Sequence, residues 1–138
     1  MNCRGFKTTV LAIALCATAK AQTTANEGWV GIWHAHVGGQ PTGALTLATD
    51  TGDLGGTIVL DMVSDKSGTP KVIESEPHVL MNPVADSNML TFQVRMQRPK
   101  GSSFVASFEV KRTATDKATI HCVNCGAGAP VVDLVRDL

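Results

Sequence analysis

From residue 29 onward, apolar and polar residues alternate with a period of two, and no window of a dozen residues sustains the 3.6 period of an amphipathic helix. In the stretch 29–37, Trp29, Gly31, Trp33, Ala35 and Val37 fall on one face, with His34 and His36 on the other. Leu45 and Leu47 share a face in 43–49, and Ile58, Leu60 and Met62 share one in 54–62. The stretch 72–81 alternates less well and contains Pro77, whose missing N–H predicts a sheet edge or a bulge. The cleanest run is 89–97, with Leu90, Phe92, Val94 and Met96 against Thr91, Gln93, Arg95 and Gln97. Phe104, Ala106, Phe108 and Val110 repeat the pattern opposite Ser103, Ser107, Glu109 and Lys111. Stretches 118–123 and 131–136 follow. Each is a strand with one dry and one wet face. Turn-forming residues separate them at 50–53, 64–71, 86–88, 98–102, 113–116 and 126–130.

Eight short strands with short links predict an antiparallel meander, because parallel neighbours require a long crossover. Eight strands can close into an up-and-down barrel that is filled by side chains or holds one small ligand. The predicted fold is therefore all-β, an antiparallel eight-stranded barrel over residues 28–138, with a β-sandwich as the alternative. The chain has 138 residues, 43% of hydrophobic type and 17% charged, which suits one folded domain.

The first residues have a different character. Arg4 and Lys7 precede the apolar run 10–17, and Ala19-Lys20-Ala21 is a small-x-small site before Gln22. This is the three-part pattern of a secretory signal peptide, residues 1–21. The apolar run is less than half of the ~20 residues that span a bilayer. A lipoprotein signal would use Cys16, but the bulky Leu15 stands where a small residue is needed. Export to the periplasm or the medium is the expectation, with residues 22–27 as a short flexible leader and no membrane span after cleavage.

Cleavage would remove three bases and no acid, leaving nine bases against twelve acids, a net charge of −3. That balance argues against a nucleic-acid partner. It would also leave two cysteines, Cys122 and Cys125, in an oxidising compartment. Three strand steps span about 10 Å, whereas a disulfide needs Cα atoms about 4.4–6.8 Å apart. A bridge here therefore requires a turn at Val123-Asn124. The alternatives are a redox pair, or a zinc site joining the cysteines to His34, His36 and His121. No nucleophile elbow, phosphate loop or H-E-x-x-H motif occurs, and neither an enzyme nor a cofactor is expected.

Gly31-Ile32-Trp33 on the first strand and Arg136 on the last resemble the calycin superfamily, which includes lipocalins and fatty-acid-binding proteins. Leu45-Thr46-Leu47, Leu54-Gly55-Gly56 and Leu134-Val135-Arg136 match the outline of a small lipocalin-like domain exported by soil bacteria. The resemblance implies a closed barrel in which Trp33 sits at one end beneath the basic side chain of Arg136, with Gly31 in the same structural motif. It also implies binding of a ligand or partner. The leading expectation is a small apolar ligand lined by Leu45, Leu47, Ile58, Leu60, Leu90, Phe92, Phe104 and Phe108. The alternative is a filled barrel that serves as an envelope protein–protein interaction module through an outer face or the 64–71 loop. A metal or redox site at Cys122 and Cys125 is a further alternative.

Overall fold

The computed structural model describes residues 21–22, 24–64, 71–98 and 101–137, with backbone alone at 61–64 and 71–75. Most of the segment predicted as a signal peptide, up to residue 20, the tip of the 64–71 loop and the side chain of Met62 lie outside the described residues. The described strands are β1 (Gly31–Val37), β2 (Gln40–Asp50), β3 (Asp53–Ser64), β4 (Lys71–Val79), β5 (Met81–Ala85), β6 (Met89–Gln97), β7 (Ser103–Ala114), β8 (Lys117–Cys122) and β9 (Val131–Arg136).

They form one antiparallel sheet in the order β4-β3-β2-β1-β9-β8-β7-β6-β5. Strands adjacent in sequence are adjacent in the sheet except β4 and β5, which form its two edges, and β1 also pairs with β9, with Trp33 opposite Arg136. The sheet thus curls into a nearly closed up-and-down barrel, not the two layers of a β-sandwich.

Nine strands stand where eight are predicted, because the fourth continues past Met81 after a bend at Leu80. Leu80 N–H donates to the Gly56 carbonyl at 3.0 Å, beside the last β3–β4 pair, Thr57 and Val79. Met81 then stands opposite Gln93 of β6. The chain passes from one neighbour to the other at this point. A bulge carries Asn82 and Pro83, and Asn82 adopts φ 50°, a left-handed conformation that Asn tolerates better than most residues. Pro77 is in register opposite Val59. Ladder bonds alternate along an antiparallel strand, so with Leu80 bonded toward β3 the Pro77 nitrogen faces away from β3. It costs no ladder bond there.

Close approach of β2 and β3 requires glycine at two positions. A Cβ on Gly43 would collide with the Val59 carbonyl, and one on Gly56 with the Thr46 carbonyl. Both sites let the strands coil tightly enough to round the barrel.

The core follows the alternation. Leu47, Leu90, Phe92, Val94, Val110 and Leu134 are buried, and the Phe92 and Phe108 rings stack with centroids 5.3 Å apart. Trp29 and Trp33 are wholly buried at the end where β1 begins. Trp33 Nε1 donates to Trp29 O at 3.0 Å, and Trp29 Nε1 donates to Asp86 O at 2.7 Å. Two guanidinium groups cover these indoles. Arg136 lies 4.8 Å from the Trp33 ring, and Arg112 lies 4.3 Å from Trp29 and 5.5 Å from Trp33. Residues 24–27 form a helical turn against this end. Asn26 is buried and donates to Gly52 O at 2.9 Å, while Gln22 donates to Ala85 O at 2.9 Å. Within the segment predicted as a flexible leader, Gln22 and Asn26 thus reach the barrel, at the end of β5 and in the β2–β3 turn.

Candidate functional site

The interior changes size along the barrel axis. Trp33 stands opposite Leu45 and Arg136; two residues later Ala35 stands opposite Gly43 and Leu134. An indole gives way to a methyl group beside a glycine, and the barrel hollows out from there toward its other end. A cavity of about 1150 Å³ occupies that half, a little above the roughly 300–1,000 Å³ usual for ligand pockets. Leu45, Ile58, Leu60, Met96, Phe108, Ile120, Val132 and Leu134 form its walls. Its mouth lies between the β1–β2 turn, with Val37, Gln40, Pro41 and Thr42, and the β8–β9 loop, with Cys125 and Gly128–Pro130.

Of the predicted lining residues, Leu45, Ile58, Leu60 and Phe108 reach this cavity. Leu47, Leu90 and Phe92 do not: they are buried in the filled part of the core. Phe104 also lies off the cavity wall, half-buried beneath the Arg98 guanidinium at 4.7 Å. Ala35, Met96, Ile120, Val132 and Leu134 line the space without having been expected there. Ala35 and Met96 share the apolar faces of the stretches 29–37 and 89–97, while Ile120, Val132 and Leu134 belong to the two last strands.

Cys122 and Cys125 are disulfide-bonded across a turn at 123–125, with Cα atoms 5.5 Å apart, and both touch the cavity. Asn124 fastens this turn to β7. Its Oδ1 accepts from Ser107 N at 2.8 Å, and its Nδ2 donates to Val105 O at 2.9 Å. Val123 N–H donates to Ser107 O at 2.8 Å. The disulfide turn is thereby part of the rim, and β9 follows it where a redox cysteine pair would need a helix N-terminus.

His34 Nε2 lies 2.8 Å from Asp137 Oδ2 in an exposed pair. Among the described residues no group of three or more His, Cys, Asp or Glu side chains gathers to hold a metal ion. His34 and His36 are therefore not joined to His121 and the cysteines. No helix among the described residues is long and apolar enough to cross a membrane.

A second depression lies at the closed end, lined in part by Gln22, Asp86, Ser87, Thr115, Arg112 and Arg136. Its arginines are already committed. Arg112 donates to Gly28 O at 2.7 Å and Thr115 O at 3.0 Å; Arg136 donates to the same two carbonyls, each at 2.8 Å. Burial, and then repulsion from Arg136, draws the Arg112 guanidinium below its ordinary pKa. The Asp86 carboxyl is held below its ordinary value by the backbone N–H groups of Asn88 and Met89, which donate to Oδ1 at 2.8 and 2.7 Å. These contacts brace a barrel end and leave the apolar cavity as the candidate site. No family model, curated protein or solved structure matches the chain.

Proposed function

We propose that this chain is an exported, lipocalin-like binding protein that holds a small apolar ligand in the open half of its barrel and performs no chemistry on it. The observation that carries this reading is the apolar cavity of about 1150 Å³ above the Trp33 layer. A hollow interior favours ligand binding over a filled barrel acting as an envelope interaction module. The resemblance of Gly31, Trp33 and Arg136 to the calycin pattern supports the same function.

Binding is tested by titrating the chain with N-phenyl-1-naphthylamine, a neutral dye whose fluorescence rises in apolar surroundings. Saturable binding near one dye per chain is expected. Val132→Glu, on a partly buried wall position of β9, is expected to abolish it while the far-UV circular dichroism of the barrel persists. Absence of saturable binding, or binding indifferent to Val132→Glu, overturns the proposal.

A further inference from the structure

Every described side chain that lines the cavity is uncharged. Thr42 and Gln40 supply the hydroxyl and the amide among them, and both stand at the mouth, at the start of β2. Deeper in, the walls are aliphatic, aromatic or sulfur-bearing, with Met96 and Cys122 as the soft groups. Three arginines are engaged with aromatic rings away from these walls. Arg98 lies over the Phe104 ring, while Arg112 and Arg136 cover the indoles at the opposite end.

A carboxylate, sulfate or phosphate carried into this interior would lose its water and meet no cation from these walls. Burying such a charge is unfavourable unless a partner and hydrogen bonds replace the hydration. A hydroxyl, ester or amide loses far less, and can keep one hydrogen bond at the rim. Building on the ligand-binding reading above, we infer that the cavity selects uncharged, largely hydrocarbon molecules. These enter with the apolar end leading and leave any neutral polar group beside Gln40 and Thr42. The class excludes amphiphiles whose affinity depends on an anionic head held inside the barrel.

The test compares two competitors with the same hydrocarbon chain. 1-Decanol and decanoate, each below its micelle-forming concentration and at about pH 8 so that the acid is ionised, displace N-phenyl-1-naphthylamine from the unmodified chain. Decanol is expected to displace the dye at a concentration at least roughly tenfold lower than decanoate. A smaller ratio, or a reversed one, with the dye still bound, overturns the charge selectivity and leaves the ligand-binding reading standing. If the dye does not bind saturably, the ligand-binding reading falls and the charge selectivity falls with it.

Discussion

Arg112 and Arg136 share their hydrogen-bond acceptors, and that sharing predicts a specific departure from additivity. Both donate to Gly28 O and to Thr115 O, and both lie over buried indole rings. Removing one, as Arg112→Met or Arg136→Met, forfeits a cation–π contact of about 0.5–2 kcal/mol. It leaves each carbonyl with its other donor. Removing both leaves the two carbonyls to water, with a further net loss of about 0.5–1.5 kcal/mol for each hydrogen bond. Repulsion between the two guanidinium groups acts in the same direction. Either single substitution relieves it, so each costs less than the contacts it removes, whereas the double substitution gains that relief only once. Among the described residues no carboxylate is within ion-pair distance of either arginine to blur this coupling. The double variant is therefore expected to lose about 1–3 kcal/mol more than the two singles combined. Urea unfolding of the four proteins, followed by tryptophan fluorescence, measures the cycle directly. Additivity within about 0.5 kcal/mol would refute the shared-acceptor account of the closed end.

Three further outcomes follow from the same structure. The double variant Cys122→Ala/Cys125→Ala is expected to lose about 2 kcal/mol, the loop-closure value for so short a bridge, and thiol reductant should lower the melting temperature of the parent by a matching amount; an unchanged melting temperature counts against the bridge. Phe92→Ala removes a buried ring stacked on Phe108 and should cost about 3–5 kcal/mol in urea unfolding, and a loss below 1 kcal/mol would contradict its placement in the filled core. Asp86 has a folded pKa lowered by two backbone N–H donors, so its contribution is present above the unfolded value, near about pH 4, and fades as pH falls through the lower folded value. Thermal melts should accordingly show the gap between the parent and Asp86→Ala narrowing below that pH, and a constant gap would rule out the carboxylate as its source.

Local alternation was enough to place most strands. In β6 each inward residue is followed by an outward polar one, and in β7 the same holds from Ala106 to Lys111, so both faces are legible without knowing any neighbour. The bend at Leu80 was not legible, because its cause is a change of partner from β3 to β6. Asn82-Pro83 also breaks the alternation that would have announced β5. The docking of residues 24–27 was hidden for a related reason. Gln22 and Asn26 look like solvent-facing polar residues until the end of β5 at Ala85 and the turn at Gly52 present their carbonyls. The Trp33–Arg136 contact was within reach because a shape constraint accompanies it: the first and last strands must meet for the sheet to close.

The candidate site was legible only in part, for a geometric reason. A period of two states which face a side chain takes, but not how high along the barrel axis it stands. Height depends on register, and register depends on turns, bulges and the strand opposite. Leu45 and Leu47 are equivalent by alternation, yet Leu45 pairs with Trp33 and borders the cavity, while Leu47 pairs with Gly31 and lies in the filled end. Phe92 and Phe108 are equally aromatic, stand directly opposite each other and stack, yet Phe108 alone lines the open space. Bulky inward residues therefore do not by themselves fill a barrel. What decides is whether small ones coincide at one height, as Ala35 and Gly43 do where β1 and β2 pass the Trp33 layer. A single large side chain at that height is thus a more direct control on the cavity than any of the phenylalanines, and Ala35→Leu should weaken dye binding more than Phe104→Leu, whose ring lies outside the wall. Equal effects of the two substitutions on dye affinity would mean that the hollow does not begin at Ala35.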